Sequence, residues 1–275
     1  MHSKLFYLKI MLLRYIFFWR LKHVSLQEKI TLSFSIPFSL ITGLIFRRKV
    51  IPYFGHWFYY DDITLPITLI TYPDEVASHV LSKIDPNFKV KTVLDIGGNI
   101  GQFAVTTAAL SDAQTIDVFE PNPEIFNLLE KNSEMYPEIK RYKYGVGKPG
   151  TFAFFFRKNK SATGSIIKGN SDKKIDEGIE EISIDVIDNI KNHTKRNSYD
   201  LVKIDVEGSE LEVLKNMQGI KIKYLYIEIS ADRDKPYSTS EIYSLIGQQF
   251  GKFEVVYQDR LEKGTPCFNV LLYFV

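Results

Sequence analysis

Val93-Leu94-Asp95-Ile96-Gly97-Gly98-Asn99-Ile100-Gly101 is the stretch on which the reading of this chain turns. A short apolar run ends in an acid and two glycines, and Asn99 to Leu110 behind it has helical character. The pattern is strand, tight turn, helix. Glycines at the turn let the backbone bend sharply and let a ligand approach without a Cβ in the way. The helix that follows presents N–H groups with no intrahelical acceptor and a positive dipole end.

Downstream, apolar strand-like runs alternate with helical ones. Thr115 to Glu120 (TIDVFE) is the next strand. Asn122 as N-cap and Pro123 at the first helical position then open a helix carrying Ile125, Phe126, Leu128 and Leu129. Arg141 to Gly147 (RYKYGVG) reads as a third strand and Thr151 to Phe156 as an extra one. Arg157 to Glu177 is polar and basic and reads as a loop. The alternation resumes with Asp200 to Asp205, a helix from Ser209, a strand ending at Ile227-Glu228, and a helix around Ser240 to Gln248. Two closing strands, Lys252 to Tyr257 and Cys267 to Phe274, have a short turn between them and should form an antiparallel hairpin. Strands separated by helices predict an α/β fold with a mostly parallel, twisted sheet. With a C-terminal antiparallel hairpin, this is the Rossmann-like layout of class I methyltransferases.

The composition agrees with such a domain. The chain has 275 residues, 45% hydrophobic and 25% charged, enough for one large core and an appendage. The net charge of +2 is too small to argue for nucleic acid. A single cysteine, Cys267, excludes an internal disulfide and fits a reducing, cytoplasmic compartment. We divide the chain into an apolar, basic extension, 1–60, and a catalytic domain, 61–275. Lys4 to Lys22 reads as a basic, aromatic-rich helix, either lying on a membrane surface or packed on the domain. Ile30 to Phe46 is uncharged but interrupted by serines, Pro37 and Gly43. It suits peripheral attachment, at the inner face of a membrane, or packing against the domain, better than a span. Residues 1–50 are thus the expected membrane contact.

A pyrophosphate binder would carry G-x-G-x-x-G at the first turn. Aligning Gly98 and Gly101 with its last two glycines puts Ile96 at the first, so that fingerprint is incomplete. What stands here, Asp-x-Gly-x-x-x-Gly, resembles motif I of S-adenosylmethionine (SAM) binders. Asp95 suits the ligand's ammonium, and the backbone around Gly97, Gly98, Asn99 and Gly101 suits its carboxylate. Glu120, 25 residues beyond Asp95 and followed by Pro121, suits the ribose hydroxyls. Val146 is a candidate to cover the adenine.

Leu201 to Leu214 (LVKIDVEGSELEVL) resembles the signature of the FkbM-type SAM-dependent methyltransferases, with VLDIGGNIGQF, VFEPNP and Ile227-Glu228 in the family's order. The resemblance covers about residues 60 to 275. It implies SAM as cofactor and a hydroxyl of a sugar, glycan or glycolipid as acceptor. Asp205, at the carboxyl end of the fourth strand, is the first candidate for a general base, with Glu207 and Glu228 behind it. The same acids could instead bind a divalent metal, though no metal ligand set is assigned. Glu207 could also only cap the turn or pair with Lys203. Ser209 and Glu212 read as a capping box for the next helix. His56 could reach an acceptor from a lid or belong to an aromatic cluster, which is the reading favoured. Ser161, Thr163, Gly164 and Ser165 suggest an acceptor-site lid. Nucleic-acid amine methyltransferases carry Asn/Asp-Pro-Pro-aromatic after the fourth strand; DVEG stands there instead, so no nucleic-acid partner is expected. A nucleic-acid or small-molecule N-methyltransferase and a non-catalytic SAM-binding module at the membrane are the alternatives.

Overall fold

The computed structural model describes residues 50–60, 72–157, 160–165, 179–230, 237–259 and 267–275, with residues 19, 25–27, 29–31, 33 and 34 of the N-terminal stretch. In chain order the elements are β1 (Val50–Tyr53), β2 (His56–Tyr59), β3 (Thr92–Ile96), α1 (Gln102–Leu110), β4 (Thr115–Phe119), α2 (Pro123–Asn132), β5 (Ile139–Tyr142), β6 (Gly145–Val146), β7 (Gly150–Arg157), β8 (Lys160–Ser165) and β9 (Ile179–Ile187). They continue with α3 (Ile190–Thr194), β10 (Ser198–Ile204), α4 (Glu210–Lys215), β11 (Lys221–Ser230), α5 (Thr239–Phe250), β12 (Phe253–Gln258) and β13 (Cys267–Phe274).

Seven strands form the main sheet in the order β12-β13-β11-β10-β3-β4-β5. β5, β4, β3, β10 and β11 run parallel, and β13 inserts antiparallel between β11 and β12. Every residue of β4 is buried, as a parallel strand covered on both faces requires. One face packs Val93, Val118, Leu201, Tyr224, Tyr226 and Leu271 against Phe103 and Ala104 of α1, Ile125 and Leu129 of α2, and Val76 and Val80. The other packs Leu94, Ile96, Val202, Ile204 and Ile227 against α4 and α5 through Val213, Leu214, Ile242 and Ile246. Each fully buried side chain of this size contributes about 1.5–3 kcal/mol before entropy is counted.

The helix starts follow their sequences. Asn122 caps α2, its side-chain oxygen accepting from the Glu124 and Ile125 N–H groups. Ser238 and Glu241 form a reciprocal capping box at α5. Ser209 and Glu212 do not form the expected one. The Ser209 side chain caps nothing, Glu212 bonds Lys215 at 2.7 Å, and the buried Glu210 carboxylate accepts from Gly208 N–H at 2.9 Å.

Two other expectations change. The third strand stops at Tyr142; Gly145–Val146 leaves it to pair with β9 in a second sheet, β6-β9-β7-β8. Part of the expected basic loop is strand β8, paired antiparallel with β7; 158–159 and 166–177 lie outside the described residues. The β1–β2 ribbon shares the first core through Ile51, Tyr53 and Phe58. Tyr53 shares a 2.6 Å hydrogen bond with Thr106 of α1, and Asn132 accepts from Tyr59 N–H at 2.6 Å. Most of residues 1–49, including most of Ile30 to Phe46, lies outside the described residues. Among the described residues no helix is long and apolar enough to cross a membrane.

Candidate active site

Strand register brings the candidate residues together. Val118, Asp95, Lys203, Tyr226 and Leu271 are aligned across β4, β3, β10, β11 and β13, on the α1-covered face. Two residues further along the same face come Glu120, Gly97, Asp205, Glu228 and Asn269, at the carboxyl edge of the parallel strands. An open α/β sheet binds ligands beyond that edge.

Lys203 is the hub. It is nearly fully buried, donates to Gly97 O at 2.6 Å, and lies 3.2 Å from Asp95 Oδ1 and 3.5 Å from Asp205 Oδ2. Burial opposes its charge, but Asp95 and Asp205 outweigh that and hold its pKa above the ordinary lysine value. One cation thus fixes the first loop and faces both acids. Asp95 is fully buried, with Oδ1 paired to the Lys203 ammonium and no partner on Oδ2. Burial pushes its pKa up, with Lys203 opposing.

The loop after β3 is built by close approach. Gly97 (φ +83°) lies so near the backbone of Asp205 that a Cβ would overlap its carbonyl oxygen. Gly101 (φ +95°) is the left-handed N-cap of α1, and no side chain caps that helix. Gly97 N–H and Gly98 N–H both donate to Phe119 O, at 3.0 and 2.9 Å. Asn99, itself left-handed at φ +48°, donates from its N–H to Glu120 Oε2 at 2.9 Å, while its side chain accepts from Ile100 N–H at 2.7 Å. Glu120 Oε1 accepts from Asn122 N–H at 2.9 Å. Burial raises Glu120 to about 7, against those two backbone hydrogen bonds. An ionised carboxylate has about four lone-pair sites, so two remain for a ligand's hydroxyls. Pro121 is half-buried behind it, and Val146 is buried in the second core.

These features fit SAM. A buried carboxylate with one oxygen unpartnered suits an ammonium, an uncapped helix start suits a carboxylate, and a second acid one strand away suits a diol.

The acceptor side starts at Asp205, whose side chain is 39% exposed. Ligand atoms of Asp205, Glu207 and Glu228 all lie within 4.8 Å of one another. Glu207 (φ +50°) and Gly208 (φ +101°) are consecutive left-handed residues, a strained turn of the kind that collects at functional sites. Burial raises Glu228 to about 8, with Asp205 and Glu207 adding to it. Such a trio has the spacing to hold a divalent cation, and exposed acids also cluster without one.

Several neighbours escaped the sequence reading. Tyr226 donates to Glu75 at 3.2 Å, and burial raises Tyr72 and Glu75, with Asp205 among the charges that add to both. Alternation in Lys221 to Ser230 puts Tyr226 on the face of Glu228, a signal that was there to use. Tyr72 and Glu75 lie far upstream, and nothing local marks them. His56 sits in the aromatic packing expected of it, its ring 5.1 Å from Tyr136 and Nδ1 3.0 Å from Phe54 O. Burial pushes the Cys267 thiol up to about 12, with the Glu228 charge adding, which leaves it inert as a nucleophile at neutral pH. Side chains of the Ser161 to Ser165 segment lie outside the described residues.

Strand order, the closing antiparallel strand and the ligand edge define the class I SAM-dependent methyltransferase fold. Comparison with known proteins narrows this: residues 95–254 match the methyltransferase FkbM domain. The chain belongs to the FkbM methyltransferase family. It is 32% identical over 145 residues to the hexuronic acid methyltransferase AglP of Haloferax volcanii, covering 51% of this chain and 56% of that protein. It is 25% identical over 146 residues to methyltransferase 1 of Beauveria bassiana, covering 46% and 57%. The matches thus span little more than half the length of these relatives. Among solved structures, magnesium protoporphyrin IX methyltransferase from Synechocystis superposes with a TM-score of 0.44 at 10% identity, over 77% of this chain and 82% of that one.

Proposed function

We propose that this protein transfers a methyl group from SAM to a hydroxyl of a sugar, glycan or glycolipid. The observation that carries the reading is the shared face: Asp95 lies on the same sheet face as Glu120, Asp205 and Glu228, one row in from the carboxyl edge that those three line, with Lys203 beside Asp95 and Asp205. Bound SAM supplies a methyl on a sulfonium, whose loss leaves a neutral thioether, so no oxyanion hole is required. Asp95 and the α1 start hold the amino-acid half, Glu120 the ribose, and Val146 borders the adenine.

Asp205 takes the acceptor's hydroxyl proton as the oxygen forms its new bond to carbon. Lys203 beside it supports the charged carboxylate. Glu228 faces acids instead, keeps its proton near neutrality, and donates to an acceptor oxygen, with Glu207 beside it. Rate comes mainly from aligning oxygen, methyl and sulfur. The sugar class rests on the hexuronic acid methyltransferase among the relatives. A second reading, favoured by the 4.8 Å spacing, has the three acids hold a divalent cation that grips a diol. Activity that survives exhaustive chelation rules that reading out.

The test is calorimetric titration with SAM of the parent and of Glu120→Ala, followed by a search for a 14-dalton (one CH₂) increment on glycans of cells with and without the protein. The ribose role predicts at least a tenfold affinity loss in the variant, since it removes a charged hydrogen-bond acceptor. Parental affinity in Glu120→Ala would sink the site assignment.

A further inference from the structure

The described residues 26, 27, 29–31, 33 and 34 are helical and leave large apolar side chains in solvent. Lys29 N–H donates to Ser25 O at 2.9 Å, and Thr31 Oγ1 donates to Gln27 O at 2.9 Å, as helical spacing requires. Leu26, Ile30 and Phe34 stand four residues apart and therefore share one stripe. They are 66%, 43% and 72% exposed. Lys29 and Thr31, both half-buried, flank that stripe on either side. A surface helix normally presents the reverse, with the apolar stripe inward. A row of large apolar side chains facing solvent marks a surface made for another phase.

Charge says which phase. Nine of the chain's 35 Lys and Arg, but one of its 33 Asp and Glu, fall within residues 1–50. That stretch therefore carries +8 and residues 51–275 carry −6. Arg47, Arg48 and Lys49 follow closely in sequence. The small overall charge conceals a strong separation. An apolar stripe within a stretch of sequence rich in lysine and arginine complements a bilayer with anionic headgroups, into which the stripe can sink while the cations of that stretch meet the lipid charges. The acidic remainder is repelled by the same surface, which orients the molecule.

We propose that Leu26, Ile30 and Phe34 form the insertion stripe of a peripheral anchor for anionic membranes, with the basic residues of 1–50 supplying the electrostatic attraction. This surface is independent of the methyl-transfer chemistry; where both hold, the acceptor is one presented at a membrane surface.

Co-sedimentation of the full chain with vesicles tests it. Vesicles of phosphatidylcholine mixed with phosphatidylglycerol should pellet the protein, those of phosphatidylcholine alone should not, and high salt should weaken the binding. Leu26→Ser/Ile30→Ser/Phe34→Ser should lower partitioning at least tenfold, and so should Arg47→Gln/Arg48→Gln/Lys49→Gln, with melting temperature and SAM titration as in the parent. Equal binding to both vesicle types, binding to neither, or parental binding by the serine variant overturns the proposal. So does a stripe that proves to be covered by a second copy, seen as a dimer in light scattering that the serine variant dissolves. A parent that fails to bind SAM yet pellets with anionic vesicles would count against the enzyme reading and not against this one.

Discussion

Asp95 and Asp117 lie one strand apart in the sheet, both fully buried, and their surroundings could hardly differ more. Asp117 points into the second core, where Tyr199 and Tyr142 donate to it at 3.0 and 3.3 Å and Arg196 Nε lies at 3.4 Å. Asp95 points to the α1 side, toward Lys203. Asp117 thus has partners on both oxygens, whereas Asp95 is paired with Lys203 on Oδ1 and has none on Oδ2. Equal burial goes with different surroundings: Asp117 is satisfied on both oxygens, and the ligand role proposed above draws on the Asp95 oxygen that Lys203 leaves open.

Substitutions should separate the two. Lys203→Met gives the largest effect, because it strips Asp95 and Asp205 of their cation and Gly97 O of its donor. We expect a loss of about 3–5 kcal/mol in denaturant unfolding, together with loss of SAM binding. Asp95→Asn comes next: SAM affinity should fall about 10- to 100-fold by calorimetry, with a stability loss of about 1–3 kcal/mol because buried Lys203 loses its nearest counter-charge. Asp117→Asn is its counterpart. It should cost about 1–3 kcal/mol of stability and leave SAM affinity as it was. If both variants weaken binding equally, the contrast between the two faces is wrong.

The smallest expected effect concerns pH. Glu228 is raised to about 8 in the fold from an ordinary 4.5. The native state therefore keeps a proton that the unfolded chain releases. Its contribution to stability is fully present below about 4.5 and is lost as pH rises through about 8. Glu228→Gln should flatten that decline by on the order of 1 kcal/mol, allowing for solvent screening. Melting temperatures across that pH window test it. A residual slope should remain, since Glu120 is raised in the same sense.

Much of this was legible before the fold. The strand–turn–helix around Asp95, the Asn122 cap and the C-terminal antiparallel pair depend on short-range pattern, and each lies where its sequence indicated. Legibility failed where distant segments decide. Gly145–Val146 continues the third strand's apolar pattern, yet β9, some forty residues on, captures it. The Ser209/Glu212 spacing suits a capping box, but Glu210 takes the Gly208 N–H instead. The family comparison supports the enzyme class, while the roles of Asp205, Glu207 and Glu228 remain proposals for mutagenesis. Tyr72 and Glu75 lie between β2 and β3, and Glu75 meets Tyr226 through a placement that tertiary packing dictates.

Asn132 has a practical consequence for anyone trimming this protein. Its amide donates to Tyr59 O at 2.9 Å and to Ile100 O at 2.7 Å, tying the N-terminal ribbon to the glycine loop. A soluble fragment begun at residue 61 would uncover Tyr53 and Phe58's seats in the core and unlace that knot at its ligand-facing end. A cut just ahead of Val50 keeps the lacing whole.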